Sequence, residues 1–253
     1  VCSSDLNLES QTAIVTGGAV GIGAAIVHRL ATAHAKVVIA DINAEAANIC
    51  CQQLVDQGLT CQTYILDISN PEQVQQLVQH TVHEYGGVDI LVNNAGIYPP
   101  KSLSEMELVD FQRVLAVNLE GVFLTTKYVS QQMISQGRGG KIINITSIDA
   151  LHPSMVGLAH YDASKHGLWG FTKNVALELA KHKIWVNAVA PGITKTNFRI
   201  SEVFPQKKNE EYLEDMGDYC LLNRQVIEPK SISNTILFLA SDQSSMITGE
   251  VLP

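Results

Sequence analysis

Positive charge is scarce in this chain of 253 residues, in which 17 lysines and arginines stand against 25 aspartates and glutamates for a formal net charge of -8. Proteins that bind the phosphate backbone of nucleic acids need a concentrated basic surface, and the sequence contains no basic stripe of that kind. We therefore expect no nucleic-acid partner.

Long apolar runs are also missing. No stretch approaches the roughly 20 apolar residues that a membrane-spanning helix requires, and the N-terminus lacks the charged-then-apolar pattern of a signal peptide. The five cysteines are odd in number and form no Cys-x-x-Cys pair, as is typical of free thiols in a reducing compartment. These absences predict a cytoplasmic protein with no membrane partner.

Metal-ligand spacing is absent too. His152, His160 and His166 lie near one another in the sequence, but they show no metal-binding spacing with nearby acidic residues. We therefore expect no metal ion.

The apolar residues, 46% of the chain, suffice for one sizeable core, and we predict a single domain over residues 1–253. Both ends are irregular: Val1 stands where an initiator methionine is usual, and the apolar run at Val251 and Leu252 stops at Pro253. Such ends are expected of a truncated chain.

Short apolar runs alternate with longer amphipathic ones, a pattern typical of βαβ units around a parallel sheet and hence of the α/β class. The predicted strands are Thr12–Val15, Lys36–Ala40, Gln62–Leu66, Ile90–Asn93, Lys141–Ile145 and Ile184–Val189. The predicted helical stretches are Gly21–Ala33, Ala44–Gln57, Pro71–Tyr85, Ser104–Ser135 and Ala163–His182. The rhythm breaks at about residues 194–223, which we interpret as a lobe or lid over the substrate.

The first chemical signal lies directly between the first predicted strand and a predicted helix: Thr16-Gly17-Gly18-Ala19-Val20-Gly21-Ile22-Gly23. Because glycine has no Cβ, Gly17 can turn tightly, Gly21 can let a pyrophosphate approach the backbone, and Gly23 can let the helix pack closely. The free N–H groups at the helix N-terminus favour an anion there. A plain glycine turn is the alternative, but the strand before it and the helix after it favour a dinucleotide-binding loop.

Asp41 ends the second predicted strand, at the distance from the glycines where an acid can hydrogen-bond both hydroxyls of an adenosine ribose. Together with Ile42 it forms the predicted ribose site. This site favours NAD, because the 2′-phosphate of NADP would meet a negative charge and neither Gly18 nor Ala19 supplies a cation. The alternative role for Asp41 is an N-cap of the next helix, which Asn43 could also provide.

Two polar segments follow the third and fourth predicted strands, namely Asp67-Ile68 and Asn93-Asn94-Ala95-Gly96. The carboxyl ends of parallel strands meet at the edge of the sheet where ligands bind, so both segments are predicted to line the site. Small residues such as Ala95 and Gly96 allow a flat ring to lie against the backbone. Asn93 is instead expected to tie neighbouring strands together through its amide.

The strongest group of candidate catalytic residues is Tyr161 and Lys165, with Ser147 just beyond the fifth strand and Asn118 in the long helical stretch. Residues at i and i+4 share a helix face, so the Lys165 ammonium can favour the ionised Tyr161 phenol. Lowering a phenol pKa from about 10 to neutrality requires roughly 4 kcal/mol, so the base should also depend on a bound, positively charged nicotinamide. Ser147 is predicted to hydrogen-bond the reacting oxygen, and Asn118 to hold a backbone or water position. A surface pair on an amphipathic helix would show the same Tyr-x-x-x-Lys spacing.

On these residues, the sequence resembles the short-chain dehydrogenase/reductase family over nearly its whole length. The shared features are the glycine loop, the acid after the second strand, Asn-Asn-Ala-Gly, the Asn-Ser-Tyr-Lys set and the Pro191-Gly192 turn. The resemblance implies one Rossmann-like, doubly wound parallel sheet with helices on both faces, a nicotinamide cofactor, and a homotetramer or homodimer. It also implies that Asp67 and Ile68 surround the adenine, and that Ile193 and Thr196 lie near the nicotinamide amide and the phosphates.

The sequence departs from the family pattern in two places. The interval from Ser147 to Tyr161 is one residue longer than the family's commonest spacing, so we expect the loop Ile148–His160 to bulge and Ser147 to be held less securely. Members of the family also continue beyond Thr248-Gly249-Glu250-Val251 into a last strand and a glycine-rich tail.

The sequence thus predicts an NAD-dependent oxidoreductase that interconverts a secondary alcohol and a ketone, with Tyr161 as acid and base, Lys165 as ribose anchor and Ser147 on the reacting oxygen. The alternatives are an NADP-dependent ketone or 3-oxoacyl reductase of the same family, or a nucleotide-binding protein without catalysis. A sugar-nucleotide epimerase also uses Tyr-x-x-x-Lys, but the glycine spacing and the chain length disfavour it. Steroids, sugars, polyols and hydroxy-ketones all stay open as substrates.

Overall fold

A computed structural model describes residues 6–153, 155–196 and 225–253 of the chain. Its strands are β1 Thr12–Thr16, β2 Lys36–Asp41, β3 Cys61–Ile65, β4 Ile90–Asn93, β5 Gly140–Ile145, β6 Ile184–Val189 and β7 Val251–Leu252. They form a 7-stranded sheet in the order β3-β2-β1-β4-β5-β6-β7. Every neighbouring pair of strands is parallel.

Helices connect the strands across both faces of this sheet. They are α1 Gly21–Thr32, α2 Ala44–Val55, α3 Pro71–Tyr85, α4 Leu108–Leu115, α5 Gly121–Gln136, α6 Ala159–Leu179 and α7 Pro229–Ala240. A π-helical segment, Ala116–Glu120, joins α4 to α5. Short 3-10 turns lie at Ile148–Ala150, Ala180–His182 and Asp242–Ser244.

The central strand β1 shows why these segments form a buried sheet. All of its residues, Thr-Ala-Ile-Val-Thr, are buried. Ala13 and Val15 join the core formed with α1, α2 and α7, whereas Ile14 joins the core formed with α3, α5 and α6. A strand covered on both faces needs apolar residues at successive rather than alternate positions. The predicted α/β class, with a doubly wound parallel sheet and helices on both faces, is confirmed.

The strand order also positions the site. The chain places β2 and β3 on one side of β1 and then crosses to place β4 on the other side. Connections therefore leave β1 and β4 in opposite directions, and a crevice opens at the carboxyl ends of these strands.

The longest predicted helix is divided in the structure. The pattern predicted one helical stretch over Ser104–Ser135, whereas α4 begins only at Leu108 and the π-helical segment separates it from α5. The Asp110 carboxylate accepts a hydrogen bond of 2.9 Å from the Glu107 backbone N–H, which satisfies a free donor where α4 begins. Apolar periodicity alone does not detect either feature.

Other element bounds agree more closely. Each predicted strand lies within one residue of an observed one at either end, but α6 begins at Ala159 instead of Ala163, so Tyr161 lies inside its first turn. The sequence patterns did not predict α7 or β7. Pro229 occupies the first turn of α7, which is a typical helix-start signal that could have identified it.

Two predictions about the wider chain stay open. The lobe predicted at residues 194–223 lies outside the described residues except for residues 194–196, and it stays a prediction together with the single domain over 1–253. Within the described ranges, no helix has both the length and the apolar content needed to cross a membrane.

Candidate active site

A cavity of about 1270 Å³ opens at the carboxyl edge of the sheet. Most of the residues predicted for the site line it. They are Gly17, Gly21, Ile22, Gly23, Asp41, Ile42, Asp67, Ile68, Asn94, Ala95, Gly96, Ser147, Tyr161, Lys165, Pro191, Gly192, Ile193 and Thr196. Thr16 and Asn118, the two others, are buried beside the cavity instead of lining it.

The glycine loop forms one end of this cavity. Gly17 has a φ of +61°, and a Cβ there would lie 2.7 Å from the Ala95 Cα. A Cβ on Gly23 would lie 1.9 Å from the Gly17 carbonyl oxygen, so neither position accepts a side chain without movement. No side chain caps the N-terminus of α1, whose first residues line the cavity. Its free N–H groups can therefore bind an anionic group.

Thr16 and Asn94 hold this loop in place. The Thr16 Oγ1 accepts hydrogen bonds from the backbone N–H groups of Asn94 at 3.0 Å and Ala95 at 3.2 Å. In return, the Asn94 Nδ2 donates to the Gly17 carbonyl oxygen at 2.8 Å. The loop after β1 and the loop after β4 are thus joined on either side of the crevice.

Asp41 lies where β2 meets the cavity. Its two carboxylate oxygens accept hydrogen bonds of 3.0 Å from the backbone N–H groups of Ala19 and Asn43. The N-cap of α2 is Asn43, whose Oδ1 accepts from the Ala46 N–H at 3.0 Å. Asp41 is therefore not the cap, and its carboxylate is held at the rim beside the glycine loop.

Asp67 and Ile68 form the wall next to β3. The Asp67 Oδ1 accepts hydrogen bonds from the Ser69 backbone N–H at 2.9 Å and from its hydroxyl at 2.7 Å. Ile68 is buried against α5, where a Cβ on Gly121 would lie 2.8 Å from the Ile68 Cδ1. Both residues keep surface toward the cavity.

The segment after β6 closes the opposite side. The Pro191 carbonyl oxygen accepts a hydrogen bond from the Ile148 N–H at 3.1 Å, and Ile193 and Ile227 pair through a backbone bond of 2.8 Å. A Cβ on Gly21 would lie 3.5 Å from the Thr196 Cγ2, so Thr196 faces the glycine loop directly.

Tyr161 and Lys165 lie on the cavity face of α6, as the i and i+4 spacing predicted. The Lys165 Nζ is 5.6 Å from the centroid of the Tyr161 ring and donates a hydrogen bond of 2.8 Å to the Ile145 carbonyl oxygen. The Tyr98 ring packs at 5.7 Å from the Tyr161 ring, measured between centroids. Tyr98 also lines the cavity and was not predicted.

Asn118 links the segments around the cavity through backbone and side-chain contacts. Its Oδ1 accepts from the Ile97 N–H at 2.8 Å, while its Nδ2 donates to the Ile97 carbonyl oxygen at 2.9 Å and to the Ser164 Oγ at 3.1 Å. The side chain thus ties the loop after Gly96 to α6. The π-helical segment carries Asn118 in a buried position, as such segments often do at functional sites.

Asn93 has a different structural role from Asn94. It is buried, and its amide bonds Thr126 at 3.1 Å, Asn144 at 2.9 Å and Thr125 at 2.6 Å. These contacts join β4, β5 and α5, as was expected for a residue that ties neighbouring strands together.

The electrostatics of the pair differ from the expectation that Lys165 favours the ionised phenol. Burial raises the pKa of Tyr161 strongly, the Ser147 hydrogen bond lowers it, and Asp149, Tyr98 and Asp162 raise it further. Burial also lowers the pKa of Lys165 to about 8, against the effect of Asp149. In the protein alone, the contact that lowers the pKa of Tyr161 is therefore the hydrogen bond of Ser147 and not the charge of Lys165.

Asp149 is the buried residue that the sequence patterns missed. Its Oδ2 accepts a hydrogen bond from the Ser147 Oγ at 3.0 Å, and its backbone N–H donates to the same Oγ at 3.2 Å. The extra residue after Ser147 does not separate it from Tyr161, since the Ser147 hydroxyl hydrogen-bonds that phenol. A carboxylate two residues beyond a serine at a strand end was the signal available in the sequence.

No histidine is among the residues that line the cavity. His160 is buried, and its Nδ1 accepts a hydrogen bond from the Tyr161 backbone N–H at 2.9 Å. In the part of the chain that the structure describes, no group of His, Cys, Asp and Glu side chains is arranged to hold a metal ion.

A doubly wound parallel sheet with a glycine loop after its first strand is the architecture of dinucleotide-binding enzymes. The sequence pattern of the family described as short chain dehydrogenase matches residues 11–206. The chain belongs to this family and is an oxidoreductase.

Individual relatives cover nearly the whole chain. The 3-oxoacyl-acyl-carrier-protein reductase FabG of Aquifex aeolicus is 36% identical over 98% of this chain and 97% of its own length. The 3beta-hydroxysteroid dehydrogenase 2 of Eggerthella lenta is 37% identical over 97% of this chain and 93% of its own. The crystal structure of NAD+-bound xylitol dehydrogenase is similar with a TM-score of 0.90 and 29% identity, over 97% of this chain and 98% of that one. These names span acyl, steroid and polyol substrates and therefore leave the substrate of this chain open.

Proposed function

We propose that the protein uses NAD to interconvert a secondary alcohol and a ketone. The observation that carries the proposal is one cavity with Asp41 and the glycine loop at one end and Ser147, Tyr161 and Lys165 at the other. A dinucleotide has this shape, with an adenosine at one end, a pyrophosphate in the middle and the reacting ring at the other end. The substrate is then a small molecule beside Ser147 and Tyr161.

The residues present fit the cofactor. Gly17 and Gly23 leave no room for a Cβ, and the uncapped N-terminus of α1 offers N–H groups for the pyrophosphate. Asp41 would hold the adenosine ribose, Asp67 and Ile68 would flank the adenine, and Lys165 would hold the second ribose. The segment from Pro191 to Thr196 would contact the nicotinamide amide. When bound, the cofactor supplies or accepts the hydride.

Side chains of the protein would transfer the proton of the reaction. During oxidation the Tyr161 oxygen takes the proton of the substrate hydroxyl, and during reduction the phenol returns it. Burial raises the pKa of Tyr161, so the phenolate needs a nearby positive charge to form at neutral pH. An oxidised nicotinamide carries that charge, and Lys165 is already hydrogen-bonded to Ile145. Asn118 would act indirectly by holding α6 against the loop after Gly96.

Asp41 supports NAD over NADP. A 2′-phosphate about 4 Å from the carboxylate would cost roughly 1 kcal/mol per charge pair in water and about 4 kcal/mol at an effective dielectric constant of 20. Neither residues 17–23 nor residues 40–43 contain a lysine or arginine that could offset this repulsion.

Steady-state assays of an alcohol and ketone panel with NAD and, separately, NADP would test the cofactor. We expect NAD to be preferred, and Asp41→Asn to reduce the ratio of the two kcat/KM values by at least about fivefold, which corresponds to about 1 kcal/mol. The asparagine keeps the size and one acceptor of the side chain but removes the charge. A wild-type preference for NADP would refute the role given to Asp41.

The second candidate function is an NADP-dependent ketone or 3-oxoacyl reductase of the same family. The 36% identity to a 3-oxoacyl-acyl-carrier-protein reductase favours it. Turnover of an acetoacetyl thioester with NADPH, faster than any secondary alcohol with NAD, would establish this alternative. A nucleotide-binding protein without catalysis would turn over neither, but it has no need for Ser147, Tyr161 and Lys165 around one cavity.

We also propose that the protein is a homotetramer or homodimer. Exposed apolar side chains lie on α4, where Leu108 and Val109 are 70% and 68% exposed, and on α6, where Leu177 is 79% exposed. An interface between subunits would remove such exposed apolar side chains from water. Light scattering coupled to size-exclusion chromatography would give the oligomeric state, and a monomer at micromolar concentration would refute the proposal.

A further inference from the structure

Two cysteine thiols face each other where α2 packs on the edge strand β3. Cys51 lies on α2 between Ala47 and Leu54, the buried residues of that helix, and shares their face because it is four residues from one and three from the other. Cys61 is the first residue of β3, and its buried side chain belongs to the same core as Ala47 and Leu54. The Cys51 side chain lies close enough to hydrogen-bond the Cys61 thiol.

A neighbouring hydrogen bond fixes the relative position of the two elements. The Thr63 hydroxyl on β3 donates to the Asn48 Oδ1 on α2 at 3.0 Å. Asn48 is three residues before Cys51 and lies on the same side of the helix. Thr63 is two residues after Cys61 and lies on the same face of the strand. The bond between Asn48 and Thr63 therefore holds the two cysteines opposite each other.

Cys50, the third thiol in this region, points elsewhere. Successive residues on an α-helix are rotated by about 100° from each other. The Cys50 Sγ lies 3.9 Å from the carbonyl oxygen of Gly18, in the loop after β1, and β2 separates β1 from β3 in the sheet. Cys51 and not Cys50 is therefore the partner of Cys61.

The two facing thiols differ in their exposure to solvent. Cys51 is partly exposed, whereas Cys61 is only 8% exposed. Burial raises the pKa of Cys61, and the neighbouring Cys51 raises it further. A dissolved oxidant therefore meets Cys51 first, while Cys61 is held beside it as the second thiol.

We propose that Cys51 and Cys61 are a modification site for hydroperoxides, which convert the two thiols into a disulfide that joins α2 to β3. With hydrogen peroxide, the Cys51 sulfur attacks the O–O bond and becomes a sulfenic acid, and one water is released. The Cys61 sulfur then displaces the sulfenic oxygen, so an S–S bond forms and a second water is released. The two sulfurs lose two electrons, which the peroxide gains, and both thiol protons end in water.

This modification site is separate from the candidate active site. Neither Cys51 nor Cys61 is among the residues that line the cavity. Oxidation of the pair therefore does not require the cavity to be empty, and it does not depend on the proposed function. Because the disulfide ties a helix to an edge strand, its expected effect is on the stability of the fold.

Peptide mapping of the whole chain tests the link directly. Dilute, reduced protein is treated with hydrogen peroxide, its free thiols are alkylated in denaturant, and an endoproteinase that cuts before aspartate is added without reductant. A cut before Asp56 separates the two cysteines, since Cys51 falls in peptide 41–55 and Cys61 in peptide 56–66. We expect these peptides to stay joined after oxidation and to separate when a reductant is added.

Thermal unfolding measures what the link does in the folded protein. We expect oxidation to raise Tm by roughly 5–10 °C, because a cross-link restricts the unfolded chain. Cys50→Ser is the matched control, since it keeps both facing thiols and should show the same joined peptides and the same rise. Cys51→Ser should show neither.

Cys61→Ala separates the two chemical steps. The sulfenic acid at Cys51 then has no second thiol, so dimedone should label peptide 41–55 of the oxidised variant. The proposal is overturned if oxidised wild type yields two separate alkylated peptides, if Cys50→Ser abolishes the joined pair, or if dimedone labels no residue of peptide 41–55. Joined peptides without a rise in Tm would also refute it, because the link would then not fit the folded arrangement of α2 and β3.

Discussion

The end of the cavity formed by the glycine loop is built mainly from backbone, whereas the end formed by Ser147, Tyr161 and Lys165 is built from side chains. At the first end, a Cβ on Gly23 would lie 1.9 Å from a carbonyl oxygen, and no side chain caps the N-terminus of α1. At the second end, burial shifts the pKa of both Tyr161 and Lys165. The first end therefore depends on steric space, and the second on the protonation of a few buried groups.

The largest expected effect is a loss of turnover without a loss of cofactor binding, which would distinguish the end around Tyr161 from the glycine-loop end. Tyr161→Phe should lower kcat by roughly 10²–10⁴-fold, because the phenol oxygen moves the proton, while the Kd for NADH stays close to that of wild type. Stopped-flow or steady-state turnover and NADH fluorescence titration measure the two quantities. Tyr128→Phe, on α5 and away from the cavity, is the matched control and should change neither. Wild-type turnover by Tyr161→Phe would remove the basis for the catalytic assignment.

The next effect concerns the buried ammonium of Lys165, whose pKa is about 8 in the folded protein against an ordinary 10.5. As pH rises through this window, the folded state loses the proton first, the unfolded state binds more protons, and stability rises. Lys165→Met removes this titration. The free energy of unfolding of wild type minus that of the variant should therefore rise by about 2 to 3 kcal/mol between pH 7 and pH 10.

Urea denaturation of both proteins at several pH values would measure this difference. Tyr161, whose pKa is raised, opposes the trend only above its ordinary value of 10.0, so the window ends there. A difference that does not change with pH would mean that Lys165 is not buried as a titrating group.

The smallest effect tests the backbone-built end. Gly23→Ala should destabilise the protein by about 1–3 kcal/mol and weaken NADH binding, because the new Cβ meets the Gly17 carbonyl oxygen. Gly170→Ala is the matched control on α6, where a Cβ meets nothing within 4 Å. Alanine there should stabilise the helix by up to about 1 kcal/mol. Equal thermal shifts for both variants would show that the glycine loop is not sterically demanding.

The residues of the glycine-loop end could be predicted from the sequence more completely than those around Tyr161 and Lys165. The glycine loop and Asp41 are local signals next to strands, and the sheet brings their residues to one cavity as expected. Asn118 was placed in a long helix, but a π-helical segment there carries it into a buried position beside Ile97 and Ser164. Apolar periodicity cannot detect such a segment, because it changes the backbone and leaves the pattern of residue types unaltered.

Asp149 shows that the environment of a buried side chain is also hard to predict from residue spacing. The tyrosine and lysine spacing suggested a lysine that lowers the phenol pKa, yet burial dominates both groups and Asp149 raises the pKa of Tyr161 further. Burial depends on which distant segments cover a residue. Here part of the cover comes from Tyr98, whose ring packs on that of Tyr161 and which lies far before α6 in the sequence.

The α/β class, the positions of β1 to β6, the glycine loop and the candidate Ser-Tyr-Lys group could be predicted from the sequence, since each depends on residue types at short spacing. Three contacts are visible only in the folded protein: Asn43 and not Asp41 caps α2, Asn118 bridges two segments, and Asp149 accepts a hydrogen bond from Ser147. These are hydrogen bonds whose partners are chosen by distance and direction. Neither is fixed until the chain has folded.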